Sequence, residues 1–322
     1  MTTPQARRTY GLRVLPGGND LAARVSLDYE QKLFSRNYRR PVLVSAALAA
    51  DSGDVDRWAA AGAWRLLGAD VAARVLNRIA TEGAEPLMLQ AIVRGGNADN
   101  ARQVSDGMAE VCLAVDCAFI DETQPTAATA SEPLIVTAAS TGVVEKNRMM
   151  DPGRFEVGDT VLAVGSDRLW PDMLGPAQEA IKKAKPADLL RKLGYVATEA
   201  TLRPAPALAG HLQQILRGYH VKRVVHAMTT VEGDGLAVAL ERLVAGRFEV
   251  RRGKPRRAFS ALMSVLDVDE SKADGVDEGH RAGIGYLMVV SSPFANAIAR
   301  RLRRCGHSVY QFGRLAEAAP RP

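Results

Sequence analysis

Apolar and polar positions along the chain alternate between strand-like and helix-like patterns. Pro41 to Leu48 is a continuous apolar run suited to a buried strand, and Pro86 to Val93 is a second. Between them Val71, Val75 and Ile79 recur at helical spacing from Asp70 onward, and Gly83 stands where a C-terminal cap is expected. Val104, Met108, Val111 and Val115 mark another amphipathic helix, after which Cys117 to Ile120 returns to strand. TQPTAATASEP, with two prolines and small polar residues, predicts a loop before a strand over Leu134 to Ala138. GDTVLAVGS, residues 158 to 166, supplies the last strand of this half.

Beyond it the character changes. Trp170 to Lys192 is helix-like and punctuated by prolines at 171, 176 and 186, which places a boundary near residue 168. The second half predicts helix over Ala207–Arg217, strand over Val221–Met228, helix over Leu236–Val244, strand over Ile284–Val290, helix over Pro293–Arg304 and strand over Ser308–Phe312. The expectation is two domains of mixed helix and sheet, 1–168 and 169–322.

Composition narrows the class. A chain of 322 residues, 47% hydrophobic and 24% charged, holds enough apolar material for ordinary cores, which excludes a disordered or fibrous protein. The apolar runs fall far short of a membrane span, and no apolar stretch follows the early arginines, so neither a bilayer helix nor a secretory signal is expected. Three cysteines, Cys112, Cys117 and Cys305, form no CxxC pair and point to a reducing, cytoplasmic setting.

The net charge of +6 permits anionic partners without requiring them. Arg300, Arg301, Arg303 and Arg304 close a predicted helix, where cations favourably face its dipole. Arg251, Arg252, Lys254, Arg256 and Arg257 surround a Gly-Lys-Pro turn without interleaved aromatics, which reads as a solvated connection rather than a nucleic-acid platform. The five histidines lack metal-ligand spacing, and the sequence contains no GxSxG, GxxxxGK[ST] or GxGxxG motif.

The order of segments says more. PVLVS, LNRIATEGAEPL, GMAEVCLAVDCAFIDET and GVVEKNRMMDPGRFEVGDTVLAVGS, followed by VATEATLRPAPAL, VVHAMTTVEGDGLAVALERL and AGIGYLMVVSSPFANAIARRLRRCGHSVYQFG, resemble in sequence order the aminoimidazole ribonucleotide synthases. These phosphoribosylformylglycinamidine cyclo-ligases found the PurM-like superfamily. The resemblance implies a two-domain PurM-like fold and a homodimer in which paired N-terminal domains build a β-barrel-like core. The C-terminal domains flank that core. It also implies ATP and Mg²⁺ in a cleft, used to activate the formamide oxygen of formylglycinamidine ribonucleotide for ring closure in purine synthesis.

The ligand-bearing segments depart from that pattern. A TDGVGTK-like loop is replaced by AALAADSGDVD, which retains acids at Asp51 and Asp54. An Asn-Asp pair appears as Asn77-Arg78, and a GGET signature appears as IDET with Asp121 and Glu122. Arg203 replaces a lysine, and a triple-glycine turn becomes Gly233-Asp234-Gly235. The resemblance implies nucleotide contacts from Asp51, Asp54, Asn77, Arg78, Arg203, Gly233, Asp234 and Gly235, and metal ligation by Asp51, Asp121 and Glu122. Arg78 and Arg203 would act as phosphate clamps. Such altered segments beside well-kept structural strings fit two functions: a divergent cyclo-ligase, or a catalytically inactive paralogue acting as a structural or regulatory partner subunit.

Overall fold

The apolar runs pair into two separate main sheets. The computed structural model describes residues 12–15, 24–27, 38, 40–122, 133–183, 187, 191, 201–219, 221–244, 248–253, 262–263 and 276–318. They fall in two compact units: residues 1–149 with 207–214, and residues 150–206 with 215–322. Among the described residues no helix is long and apolar enough to cross a membrane.

In the first unit β1 (Leu12–Leu15) and β2 (Arg24–Leu27) form an antiparallel pair. β3 (Pro41–Ala49), β4 (Glu85–Arg94), β5 (Ala118–Asp121) and β6 (Ile135–Glu145) form a sheet in the order β3-β6-β4-β5. β6 lies antiparallel to both neighbours, whereas β4 and β5 are parallel, as a helical crossover between them requires. That crossover is α3 (Ala98–Ala114); α1 (Ser52–Ala60) and α2 (Trp64–Thr81) precede β4.

Strand β3 is covered on one face only. Val42, Val44 and Ala46 pack against Ile79, Ala84 and Val144. The alternate residues Leu43, Ser45, Ala47 and Ala49 are exposed, Leu43 at 68%, and Ile135 on β6 is exposed at 58%. The continuous apolar run therefore belongs to an edge strand with an open apolar face, not to a strand buried on both sides.

Two glycines let α2 and α3 meet almost backbone to backbone. A Cβ on Gly68 would overlap the carbonyl oxygen of Val104, and one on Gly107 would overlap that of Arg65. The crossing is reciprocal, with each helix offering a glycine to the other's main chain. Helix α3 then ends in a Schellman turn: Asp116 takes the left-handed conformation at φ 58°, Cys117 N donates to Cys112 O at 2.8 Å, and Asp116 N donates to Leu113 O at 3.3 Å. Cys112 and Cys117 are both buried, filling the two positions where this turn usually makes an apolar contact.

The second unit holds β7 (Thr160–Gly165), β8 (Val225–Thr230), β9 (Phe248–Arg252), β10 (Ile284–Val290) and β11 (Val309–Glu317) in the order β8-β10-β7-β11-β9. Every pairing in this sheet is antiparallel. β7 and β10 are buried throughout. Around the sheet lie α4 (Pro171–Lys183), α6 (Gly235–Val244), α7 (Glu278–Ala282) and α8 (Ala295–Arg304), while α5 (Ala209–Gly218) begins within the 207–214 segment of the first unit.

Two further expectations change. GDTVLAVGS, expected to close the first sheet, pairs as β7 with β10 and β11 in the second, because an all-apolar strand fits any central position and its pattern does not name its neighbours. The 248–252 segment is an edge strand on β11 rather than a solvated connection; Phe248 and Val250 pack against the core while the flanking charges are exposed. The four-stranded sheet of the first unit is open, with β3 and β5 at its edges; the expected β-barrel-like core is one that two paired N-terminal domains would build, not one that a single chain closes. The predicted loop lies almost wholly outside the described residues.

Candidate functional site

In the first unit the retained acids are engaged by their own chain. Asp51 is the N-cap of α1, and its Oδ1 accepts the backbone N–H of Asp54 at 2.7 Å. Asp54 itself is buried at 2% exposure. Its Oδ1 accepts from Arg57 Nη2 at 2.9 Å, and its Oδ2 lies 3.7 Å from Arg74 Nη1, which also faces Asp70 at 3.7 Å. Two carboxylates thus balance two guanidinium groups in the α1–α2 packing.

Asn77 is fully buried, and its Oδ1 accepts from the backbone N–H groups of Leu208 and Ala209 at 2.9 and 3.0 Å. It caps the start of α5. Arg78 donates from Nη1 to the carbonyl oxygen of Ala47 on edge strand β3 at 2.9 Å.

Asp121 ends β5, where Ser105 Oγ donates to its Oδ2 at 2.7 Å, and Glu122 continues the backbone ladder to Ala91 O. Register aligns Leu48, Ala138, Ala91 and Asp121 in one row across the sheet. Asp51 follows β3 at one edge, so two intervening strands separate it from Asp121 and Glu122, about 14 Å along the sheet at the usual strand spacing. A magnesium ion held at about 2.1 Å cannot be shared across that gap. Among the described residues no three His, Cys, Asp or Glu side chains converge on one point. The three acids assigned to Mg²⁺ therefore do not fit one ion together.

In the second unit the Gly233–Gly235 turn opens α6. Gly235 has φ 83°, a conformation glycine adopts without strain, and a Cβ there would overlap the carboxylate of Asp277. Both Asp277 oxygens accept from Leu236 N, at 3.0 and 3.1 Å, and Asp277 Oδ1 also accepts from Gly279 N at 2.8 Å. The first N–H of α6 past the glycine turn, one that a phosphate would use, is thus met by a carboxylate. Asp234 pairs with Arg242 on the same helix. Arg203 lies half-buried just after a turn in this unit.

Beside this turn is a group that sequence spacing did not unite. His280 Nδ1 lies 2.9 Å from Asp172 Oδ2, and its Nε2 lies 2.7 Å from the carbonyl oxygen of Glu232. The imidazole stacks on Trp170 with centroids 5.2 Å apart, and the guanidinium of Arg168 lies 4.0 Å from the centre of the same indole. Burial alone would push His280 down, but the hydrogen bonds to Asp172 and Glu232 outweigh it and raise its pKa above the usual histidine value. Burial likewise pushes Asp172 up, yet the hydrogen bonds from His280 and Asp277 N hold it below the usual carboxylate range.

No family profile matches the chain. Its curated relatives include the phosphoribosylformylglycinamidine cyclo-ligase of Aromatoleum aromaticum, 27% identical over 98% of this chain and 89% of that protein. The enzyme of the same name from Carboxydothermus hydrogenoformans is 24% identical over 97% of this chain and 90% of its own length. Among solved structures, thiamine-monophosphate kinase from Stenotrophomonas maltophilia superimposes with a TM-score of 0.58 at 17% identity, covering 95% of this chain and 89% of the kinase. Thermotoga maritima PurL, solved with ATP, gives a TM-score of 0.54 at 11% identity over 86% of this chain and 41% of PurL.

The chain has the PurM-like fold.

Within this PurM-like chain the residues assigned to nucleotide or metal are divided between the units: Asp51, Asp54, Asn77, Arg78, Asp121 and Glu122 in the first, Arg203 and 233–235 in the second. The sequence did carry one signal for the group around His280. Asp167 to Asp172 gathers three charged residues and a tryptophan, but the histidine that Asp172 meets lies 108 positions away.

Proposed function

We propose that this PurM-like chain serves purine nucleotide synthesis as a non-catalytic partner subunit, built on the cyclo-ligase plan. The observation that supports this reading is the occupation of both proposed phosphate cradles by the chain's own carboxylates, Asp51 at α1 and Asp277 at α6. A helix N-terminus attracts an anion through its free N–H groups and its dipole. An aspartate already placed there supplies that anion. An arriving phosphate then meets a like charge, which at about 4 Å and an effective dielectric near 20 costs about 4 kcal/mol. Together with the separation of Asp51 from Asp121 and Glu122, this gives Mg-ATP a poor fit to the assigned residues.

A second reading, an active ATP-dependent cyclo-ligase acting on formylglycinamidine ribonucleotide, is favoured by similarity to enzymes of that name over 98% and 97% of the chain. Calorimetric titration of the full chain with Mg-ATP, followed by assay with formylglycinamidine ribonucleotide, separates the two. The partner-subunit reading expects no binding heat up to high micromolar nucleotide and no turnover. Binding accompanied by imidazole product overturns it and selects the cyclo-ligase.

Either reading includes self-association through the first unit. The row of Leu43, Ala47 and Ala49 on edge strand β3 leaves an apolar face and a strand edge exposed. Light scattering at micromolar concentration is expected to give the mass of a dimer, and Leu43→Asp is expected to shift it towards monomer. A monomer mass for the unaltered chain rejects the self-pairing.

A further inference from the structure

The protonation state of His280 follows from its neighbours. Glu232 O is a carbonyl and only accepts, so Nε2 at 2.7 Å must carry a proton. Asp172 Oδ2 also accepts from the backbone N–H of Asp277 at 3.0 Å, and the hydrogen bonds that hold this carboxyl below the usual carboxylate range keep it an ionised, accept-only group, so Nδ1 at 2.9 Å carries a proton as well. Only the imidazolium satisfies both contacts. Either neutral tautomer sets a nitrogen lone pair against an oxygen lone pair within hydrogen-bond distance, in a side chain that is 4% exposed.

The two contacts are unequal. The bond to Asp172 joins a proton donor to a charged acceptor and is the stronger; the bond to Glu232 ends on a neutral carbonyl. When one proton leaves, the one that remains stays with the carboxylate, and the contact to Glu232 is lost. Glu232 O also accepts from Gly235 N at 2.8 Å, so this carbonyl anchors the turn that opens α6. We propose that His280 is a proton-controlled clamp: doubly protonated, it holds the 232–235 turn against α7, and loss of one proton releases that turn.

The charges around the clamp favour its closed state. Asp172 comes from the start of α4, and Asp277 precedes α7. Glu278 and Arg281 share the helix of His280, with Glu278 paired to Arg252. On the α6 side Asp234 and Arg242 neutralise one another, the Glu232 carboxylate takes the hydroxyl of Thr230 at 3.0 Å, and Arg168 stands over Trp170. The charges that act on the imidazolium are Asp172 and Asp277, both negative, and both favour its protonated form.

The linkage has a definite sign. With its pKa raised in the folded state, His280 contributes stability that is fully present below its ordinary value of 6.5 and is lost as pH rises through the folded value. With its pKa lowered, Asp172 contributes stability that is present above 3.8 and is lost as pH falls through its folded value. The clamp is therefore fully closed between those two ordinary values and opens on the alkaline side.

Hydrogen exchange of the 231–236 amides, corrected for intrinsic base catalysis, reads the opening directly from pH 5 to 10. Trp170 emission reports it independently, because a protonated imidazole stacked on indole quenches it. The unaltered chain is expected to show one coincident transition above pH 6.5 in both signals. Asp172→Asn, which keeps an acceptor but removes the charge, is expected to lower the midpoint by about one pH unit, a tenfold loss of proton affinity. His280→Gln is expected to abolish the transition. The clamp is overturned if the unaltered chain shows no transition in that range, if Asp172→Asn leaves the midpoint in place, or if the transition persists in His280→Gln. Should His280→Gln fail to fold, the Asp172→Asn midpoint decides alone.

Discussion

Gly107→Ala is expected to destabilise the first unit by about 3 kcal/mol, although alanine is the better helix former by about 1 kcal/mol. The sign is what makes the test sharp. If α2 and α3 merely lay side by side, the substitution would stabilise the protein through propensity alone. The added methyl instead overlaps the carbonyl oxygen of Arg65, which is main chain and cannot swing away as a side-chain tip would. The reciprocal contact of Gly68 with Val104 O prevents the helices from separating without opening the crossing at both points. Urea denaturation of the two proteins measures the difference, and unchanged or increased stability for Gly107→Ala would show that the helices have room to part.

Asp54→Ala is expected to cost about 3 to 5 kcal/mol, the usual penalty for removing one partner of a buried charged group. Asp54 serves Arg57 and Arg74 together, and Arg74 has Asp70 as its other carboxylate. After the substitution Arg57 loses its 2.9 Å carboxylate contact and Arg74 loses one of its two, in a packed interior. Thermal unfolding followed by circular dichroism should show a large fall in Tm, with Asp54→Asn intermediate because its amide oxygen still accepts from Arg57. A change below about 1 kcal/mol would mean that Asp54 is not structural and would return it to the candidate ligands.

The long regular elements were legible in the sequence because their patterns are local. Ile284–Val290 is β10, and the Val71-Val75-Ile79 and Val104-Met108-Val111 series lie in α2 and α3. Gly83 has φ 78° after α2, as a left-handed cap requires. Helix α1 lies in the segment that stands in place of a phosphate loop, and its own helix-start signal is Asp51, three residues before Asp54. The charges of Arg251 and Arg252 hid the alternation of Phe248 and Val250 in β9.

The candidate site was less legible, for a different reason. Asn77 could be singled out as retained, but the N–H groups it serves lie 131 and 132 positions later. Asp172 and His280 are equally remote, and only three-dimensional pairing reveals that both imidazole nitrogens are occupied. Spacing arguments reach neighbours on one helix or strand; they do not reach partners joined through the fold.

The return of residues 207–214 to the first unit also bears on how the protein is made. A ribosome that has released residue 149 has delivered every strand of the first sheet, yet Asn77 still lacks both of its backbone donors. Much of the second unit's early chain must emerge before that carboxamide is satisfied. The first unit therefore cannot reach its final state as an independent N-terminal fragment: an expression product ending at residue 149 lacks the Leu208 and Ala209 N–H groups that donate to Asn77, whereas one that supplies residues 207–214 in trans restores them.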